Sequence, residues 1–202
     1  MNYEKTKEGS LKLINPPEID YVNYWGGDKS TLQEQVYNVN GFINFAGVTK
    51  CQAIEAFILG KSVLEIGCAP AELLRYLKSK GYDTYGIAPE TDPFIKSHSQ
   101  SEIFTGTLNQ FKTKRRFDNV IAMDVFEHIE DGDAFLAKCL SLTKKGGQII
   151  FMLPILDHLS KPETMMHPEH IWLYSINHLK SMGFEWFAEW HDGHSIAIMK
   201  KP

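Results

Sequence analysis

Three groups of side chains in this sequence have the types and spacing for chemistry. Asp124, Glu127 and His128 fall at i, i+3 and i+4, which on a helix puts all three on one face. Carboxylates and an imidazole arranged so suit acid–base work or a divalent cation such as magnesium, manganese or zinc. The plainer reading is an aspartate N-cap with the other two packed locally, so no metal ligand is assigned. His167 and His170 flank Pro168-Glu169 and offer imidazoles that titrate near neutrality. Glu65 lies inside the apolar run Val63-Leu64-Glu65-Ile66, which stops at Gly67 and passes through Cys68-Ala69-Pro70-Ala71 into Glu72-Leu73-Leu74. A strand that stops at a glycine and re-enters as a helix brings backbone N–H groups to the strand's carboxyl end. Nucleotide-like ligands bind there in α/β proteins. Gly67 suits the turn because it has no Cβ and takes positive φ at little cost, and Pro70 suits the first turn of the helix.

The elements that must position these groups alternate in type. Strands are predicted at 62–66, 84–87, 102–105, 119–123, 148–153, 184–190 and 195–199, and helices at 71–80, 133–142 and 175–182. Residues 119–123 are a continuous apolar run, as a strand covered on both faces requires. Alternating units imply an α/β fold with a doubly wound, mostly parallel seven-stranded sheet. The last two strands meet at Asp192-Gly193, a hairpin signal that makes the C-terminal edge antiparallel. The connection over 155–170 is longer than most and so is a candidate active-site segment. Upstream, residues 1–20 are polar and end in Asn15-Pro16-Pro17, which breaks regular structure. Residues 21–28 read as an aromatic loop. Helical spacing covers 30–40 and 49–59, with Ser30 and Thr49 as N-caps and Gly60 as a C-cap. Two units follow: 1–60, an N-terminal helical extension serving as a substrate cover, and 61–202, the α/β domain.

Composition narrows the classes. The chain has 202 residues, 43% of them hydrophobic, and a net charge of −4. No basic stripe suggests a nucleic-acid partner; Lys112-Thr113-Lys114-Arg115-Arg116 is one short patch. The 3 cysteines are odd in number and far apart, which argues against a disulfide framework and for a reducing, cytoplasmic setting. No apolar run approaches the roughly 18 residues of a membrane span, and the polar N-terminus is no secretory signal.

The run from Val63 to Leu74, with the continuation to Ile87, resembles the first motif of the class I S-adenosylmethionine-dependent methyltransferases. Phe117 through Ile129 looks like the fourth-strand motif of their small-molecule branch, similar to the ubiquinone-biosynthesis O-methyltransferases. Lys144-Lys145-Gly146-Gly147 with the strand to Pro154, and His167 through Ser175 with Leu179 and Gly183-Phe184, are similar to that branch's later segments. Together these cover 61–200 in order. The resemblance implies a Rossmann-like fold, S-adenosylmethionine as cofactor and methyl transfer to a small-molecule acceptor, with oxygen preferred.

It also implies residue roles. Glu65 would receive the donor's ammonium, and Gly67, Cys68, Ala69 and Ala71 would line its methionine tail. Ala88 stands where the family carries a ribose-binding acid; Glu90, two residues on, is the substitute, and an acid restored at Ala88 would tighten ribose binding. Thr107 and Leu108 would face the adenine, and Met123, Asp124 and Val125 would close the pocket. His128 is the first candidate for the base that takes the acceptor's proton, with His167 and His170 next. Tyr21, Tyr24, Trp25, Trp172 and Tyr174 form either an aromatic lid or simple packing. Ala69, Ala71 and Ala88 depart from the pattern. They leave a second reading open, a non-catalytic binding or scaffold protein on the same fold. A dinucleotide-dependent dehydrogenase is disfavoured because the turn lacks G-x-G-x-x-G spacing.

Overall fold

The computed structural model describes residues 2–18, 49–89, 96, 99–191 and 193–202. Its strands are β1 (Tyr3–Lys5), β2 (Leu11–Leu13), β3 (Ser62–Ile66), β4 (Asp83–Ala88), β5 (Glu102–Thr105), β6 (Phe117–Met123), β7 (Thr143–Pro154), β8 (Trp172–Leu173), β9 (Trp186–His191) and β10 (His194–Lys200). Its helices are α1 (Lys50–Glu55), α2 (Glu72–Ser79), α3 (Gly132–Leu142) and α4 (Ile176–Ser181).

Seven strands form one sheet in the order β5-β4-β3-β6-β7-β10-β9. Pairing is parallel from β5 to β7, and β10 and β9 add antiparallel. The sequence pattern explains the layers. Every residue of β3 is buried, and successive residues feed opposite faces. Leu64, Val120, Ile149 and Phe151 pack with Phe135, Leu136, Cys139 and Leu142 of α3. Val63, Ile121, Ile150 and Met152 pack with Ile54 of α1 and Leu73 and Leu77 of α2. Helices therefore cover both faces, as expected for the doubly wound class. The chain reverses between β3 and β6, the central neighbours, which opens a crevice at the strands' carboxyl ends.

Caps fix the helix ends. Thr49 and Gln52 form a capping box at α1, while Asp131 caps α3 and Ser175 caps α4. At the opposite end of the sheet from the crevice, Asn119 is fully buried and satisfied by Leu59 and Gln148. Its neighbour Asp118 accepts from Ser62 and Lys144, which holds its carboxyl well below the usual range despite some burial.

Several boundaries differ from those expected. The helix predicted over 49–59 stops at Glu55. Gly60 then turns with φ +60 where a Cβ would meet Asp118 at 2.7 Å. β7 begins at Thr143 rather than 148, because Thr143 already pairs with Phe117 across a register shift. α2 begins at Glu72 behind an N-cap Ala71, so Pro70 lies in the turn and not in the helix. Residues 1–20, expected to lack regular structure within a helical extension, contain the β1–β2 hairpin, which pairs through Leu11↔Leu173 and Lys12↔Trp172 with β8. Strands of three residues carry almost no periodic signal, and their partner is more than 150 residues away. The loop over 21–28 and the helix over 30–40, with Ser30, lie outside the described residues.

Candidate active site

A cleft of about 1280 Å³ opens at the carboxyl ends of the central strands. Thirteen of the residues assigned from sequence line it: Glu65, Gly67, Cys68, Ala69, Ala71, Thr107, Leu108, Met123, Asp124, Val125, His128, His167 and His170. Ala69 and Ala71 are part of its wall and do not close it. Two assignments stand apart. Ala88 is fully buried beside Cys68, Ala71 and Leu74 and is not in the cleft wall. That corrects its expected place facing a ribose: a methyl with nothing polar to satisfy packs into the apolar cluster. Glu90 lies outside the described residues, as do Tyr21, Tyr24 and Trp25.

The turn after β3 is held by its own backbone. Gly67 and Cys68 both donate to the carbonyl of Ile87, at 2.8 and 3.1 Å. Those two N–H groups are therefore spent on β4 and do not face a ligand, contrary to expectation. Gly67 has φ +73, and a Cβ there would lie 2.4 Å from Val125 Cγ2. Ala71 also takes the left-handed conformation, φ 73, at a cost of about 1–2 kcal/mol for a residue with a Cβ. It offers no side-chain cap to α2; the carboxyl of Glu65 accepts from the Leu74 backbone instead. Glu65 is 3% exposed, and its Oε2 has no hydrogen-bond partner. Burial, reinforced by the nearby Glu72 charge, pushes its carboxyl up to about 8.

The far end of the cleft is polar. Asp124 follows β6 with φ 53, a conformation aspartate tolerates, and its backbone donates to Met152. Its carboxylate pairs with Lys50 of α1, and His194 Nε2 lies 3.6 Å from its other oxygen. His128 sits on a short 3-10 turn, Phe126–His128. Its Nδ1 is 2.7 Å from the carbonyl of Glu169, and because a carbonyl only accepts, Nδ1 carries the proton and Nε2 the lone pair. His170 repeats this, with Nδ1 2.8 Å from the carbonyl of Met165. Burial lowers both imidazoles, His170 to about 4, so both are neutral at pH 7. Their rings are 5.0 Å apart, and His167 lies 3.7 Å from His170.

Behind these rings lies Glu127, 1% exposed with Oε2 unpartnered. Burial and the Asp124 charge hold its carboxyl well above the usual range. Glu127, His128 and His170 each place one ligating atom within 4.8 Å of the others, so among the described residues this trio could hold a divalent cation. It differs from the sequence triad: His170 joins, and Asp124 turns to Lys50.

Of the two readings left open for the aromatic residues, Trp172 and Tyr174 take the packing one. Tyr174 is buried, stacked on Phe126 at 4.8 Å and on Trp172 at 5.2 Å, and neither Trp172 nor Tyr174 lines the cleft. Core burial won because the loop folds back through β8 onto the β1–β2 hairpin. Lys50, Cys51, Glu72 and Glu169 line the cleft and were not singled out by sequence. Lys50 meets Asp124 across 74 positions, a contact with no local signature. Glu72 is the exception, because an acid in the first turn of a helix beside Glu65 is visible in the sequence.

Residues 44–185 match the family model described as a methyltransferase domain. The ubiquinone biosynthesis O-methyltransferase of Rhodopseudomonas palustris (strain BisB18) is 33% identical over 164 residues, 72% of this chain and 64% of that relative. The matched segment thus spans less than two thirds of the relative's length. Among solved structures, a possible histamine N-methyltransferase from Thermotoga maritima superposes with a TM-score of 0.64 at 16% identity, covering 86% of this chain and 96% of the other. A Burkholderia thailandensis 1,6-didemethyltoxoflavin-N1-methyltransferase with substrate and S-adenosylhomocysteine bound has a TM-score of 0.60 at 13% identity, covering 100% and 99%. The order of strands, the turn after β3 and the family match over most of the sequence agree, and the chain belongs to the methyltransferase domain family.

Proposed function

We propose that the protein is an S-adenosylmethionine-dependent methyltransferase acting on a small-molecule acceptor, with oxygen as the atom methylated. The observation that carries this reading is a single open cleft with a buried, half-satisfied carboxyl at one end and two tautomer-locked histidines at the other. The donor fits: Glu65 offers an orphaned oxygen for an ammonium, and Gly67 lets the turn close against Val125 at the cleft wall. When bound, S-adenosylmethionine supplies a methyl group activated on a sulfonium. Glu65 holds the amino-acid tail, and Met123 and Val125 pack the mouth of β6. Thr107 and Leu108 lie beyond β5, where the adenine rests.

His128 receives the acceptor's hydroxyl proton at Nε2, since Glu169 fixes the proton on Nδ1. A lowered imidazole is a neutral base at physiological pH. His170 and His167 stand behind it and keep the acceptor end dry and polar. Relatives named for O-methylation in ubiquinone biosynthesis support oxygen over nitrogen. Lys50 and Cys51 reach the cleft from residues 1–60, which supports a cover role for that segment. Three unbridged thiols support a cytoplasmic setting, and no described helix is long and apolar enough to cross a membrane.

Calorimetric titration with S-adenosylhomocysteine, followed by transfer of labelled methyl to a panel of phenols and amines, tests the reading. Binding with labelled phenol is the expected result. No heat at millimolar ligand would overturn it in favour of a scaffold, and labelled amine alone would overturn the choice of oxygen.

A further inference from the structure

Resting on the methyl-donor reading, we infer that Glu72 is a second carboxylate for the donor's α-ammonium, closing with Glu65 a two-carboxylate seat. Glu72 opens α2 one turn from the β3 glycine and lines the same cleft as Glu65. The two acids are close enough for the charge of Glu72 to disfavour ionisation of Glu65. Two carboxyls brought together beside an open cleft repel unless a cation or a proton lies between them. Glu72 Oε2 already accepts from Arg75 Nη2 at 2.8 Å, so that side of Glu72 is fixed and its orientation preset. Glu65 is fixed likewise by the Leu74 N–H, with Oε2 unpartnered and buried at the cleft.

The groups facing this seat come from each surrounding element. Burial pushes Cys51 of α1 up to about 12, with both acids adding to it and Arg75 opposing, and burial raises Cys68 as well. Neither thiol supplies positive charge. On the sheet, Glu65 is flanked by Gly86 of β4 and Ile121 of β6, which supply none either; the positive charge at hand is Arg75 of α2, held on Glu72 Oε2 and away from Glu65 Oε2. Without ligand, the proton on Glu65 relieves the repulsion. An arriving ammonium replaces it with a fixed positive charge, so binding releases a proton. No bond beyond that O–H is broken.

The test is isothermal calorimetry with S-adenosylhomocysteine and with 5′-methylthioadenosine, a thioether nucleoside lacking the ammonium. Each titration is run at pH 7 in two buffers of different ionisation enthalpy. Wild type is expected to release about one proton with S-adenosylhomocysteine and none with methylthioadenosine, because a carboxyl near 8 is mostly protonated at that pH. Glu72→Gln is expected to weaken S-adenosylhomocysteine about tenfold or more while leaving methylthioadenosine within about twofold, the scale of a charge-assisted hydrogen bond. Equal effects on both ligands, or none on either, would overturn the seat. Equal proton release with both ligands would do the same, and that measurement needs no variant to fold. Failure of wild type to bind either thioether overturns the donor reading itself.

Discussion

The turn end of the cleft is built from chain that is adjacent in sequence, Glu65 to Glu72, whereas the histidine end is assembled from segments far apart. At the turn, position is set by backbone: positive φ at Gly67 and Ala71, and two N–H groups shared on one carbonyl. At the histidine end it is set by side chains on distant carbonyls and charges. His128 leans on Glu169, 41 residues away, and Asp124 on Lys50, 74 away. The first kind of site tolerates side-chain drift, so Ala69 and Ala71 line it without closing the space. The second kind depends on each partner reaching its place, so single losses there affect chemistry more than shape.

Gly67→Val attacks the backbone-built end and has the largest expected effect. A Cβ would lie 2.4 Å from Val125 Cγ2 at φ +73, so titration should find S-adenosylhomocysteine affinity reduced by roughly 100-fold or more, about 3 kcal/mol. Retained affinity would remove the turn from the donor site. His128→Gln attacks the other end. Turnover should fall by roughly 100-fold or more with S-adenosylhomocysteine affinity unchanged, and an equal loss of both would erase the distinction between the ends.

Ala88→Asp sharpens the comparison by asking whether the turn end still accepts an acid. Because Ala88 is fully buried among Cys68, Ala71 and Leu74, the variant should lose about 2–4 kcal/mol by burying an unpaired carboxyl. Its thermal midpoint should drop and its ligand affinity should not improve; tighter binding would return position 88 to the ribose.

The remaining effect is on pH. Folded Glu65 titrates near 8 against 4.5 for the free group. Between those values the folded state binds more protons than the unfolded, so its contribution to stability is complete below about 4.5 and is lost as pH rises towards 8. Wild type should therefore lose more thermal stability than Glu65→Gln over that window. Parallel melting curves for the two proteins would contradict the buried, protonated carboxyl.

How much was legible follows the same division. The parallel sheet could be read from sequence because its strands, glycine turns and helices are contiguous and periodic, whereas most of the thirteen residues that line the cleft were placed by the family resemblance. The Ala88 place was misread because a position in a motif says where the backbone goes and not where a methyl will pack. Tyr174 was left between lid and packing because stacking on Phe126 depends on a fold-back of the chain. The trio of Glu127, His128 and His170 was half visible: two members are neighbours, and the third arrives through the long connection. The β1–β2 hairpin left no signal, being two strands of three residues each.

That hairpin also bears on synthesis. Tyr3 donates its hydroxyl to the carbonyls of His167 and His170, the latter at 2.7 Å and 167 positions away, so this early strand waits for much later chain before finding its partners. Such distant closure is slow compared with local folding. The parallel strands β3 to β7 can thus pair while the imidazoles of His167 and His170 are still unplaced.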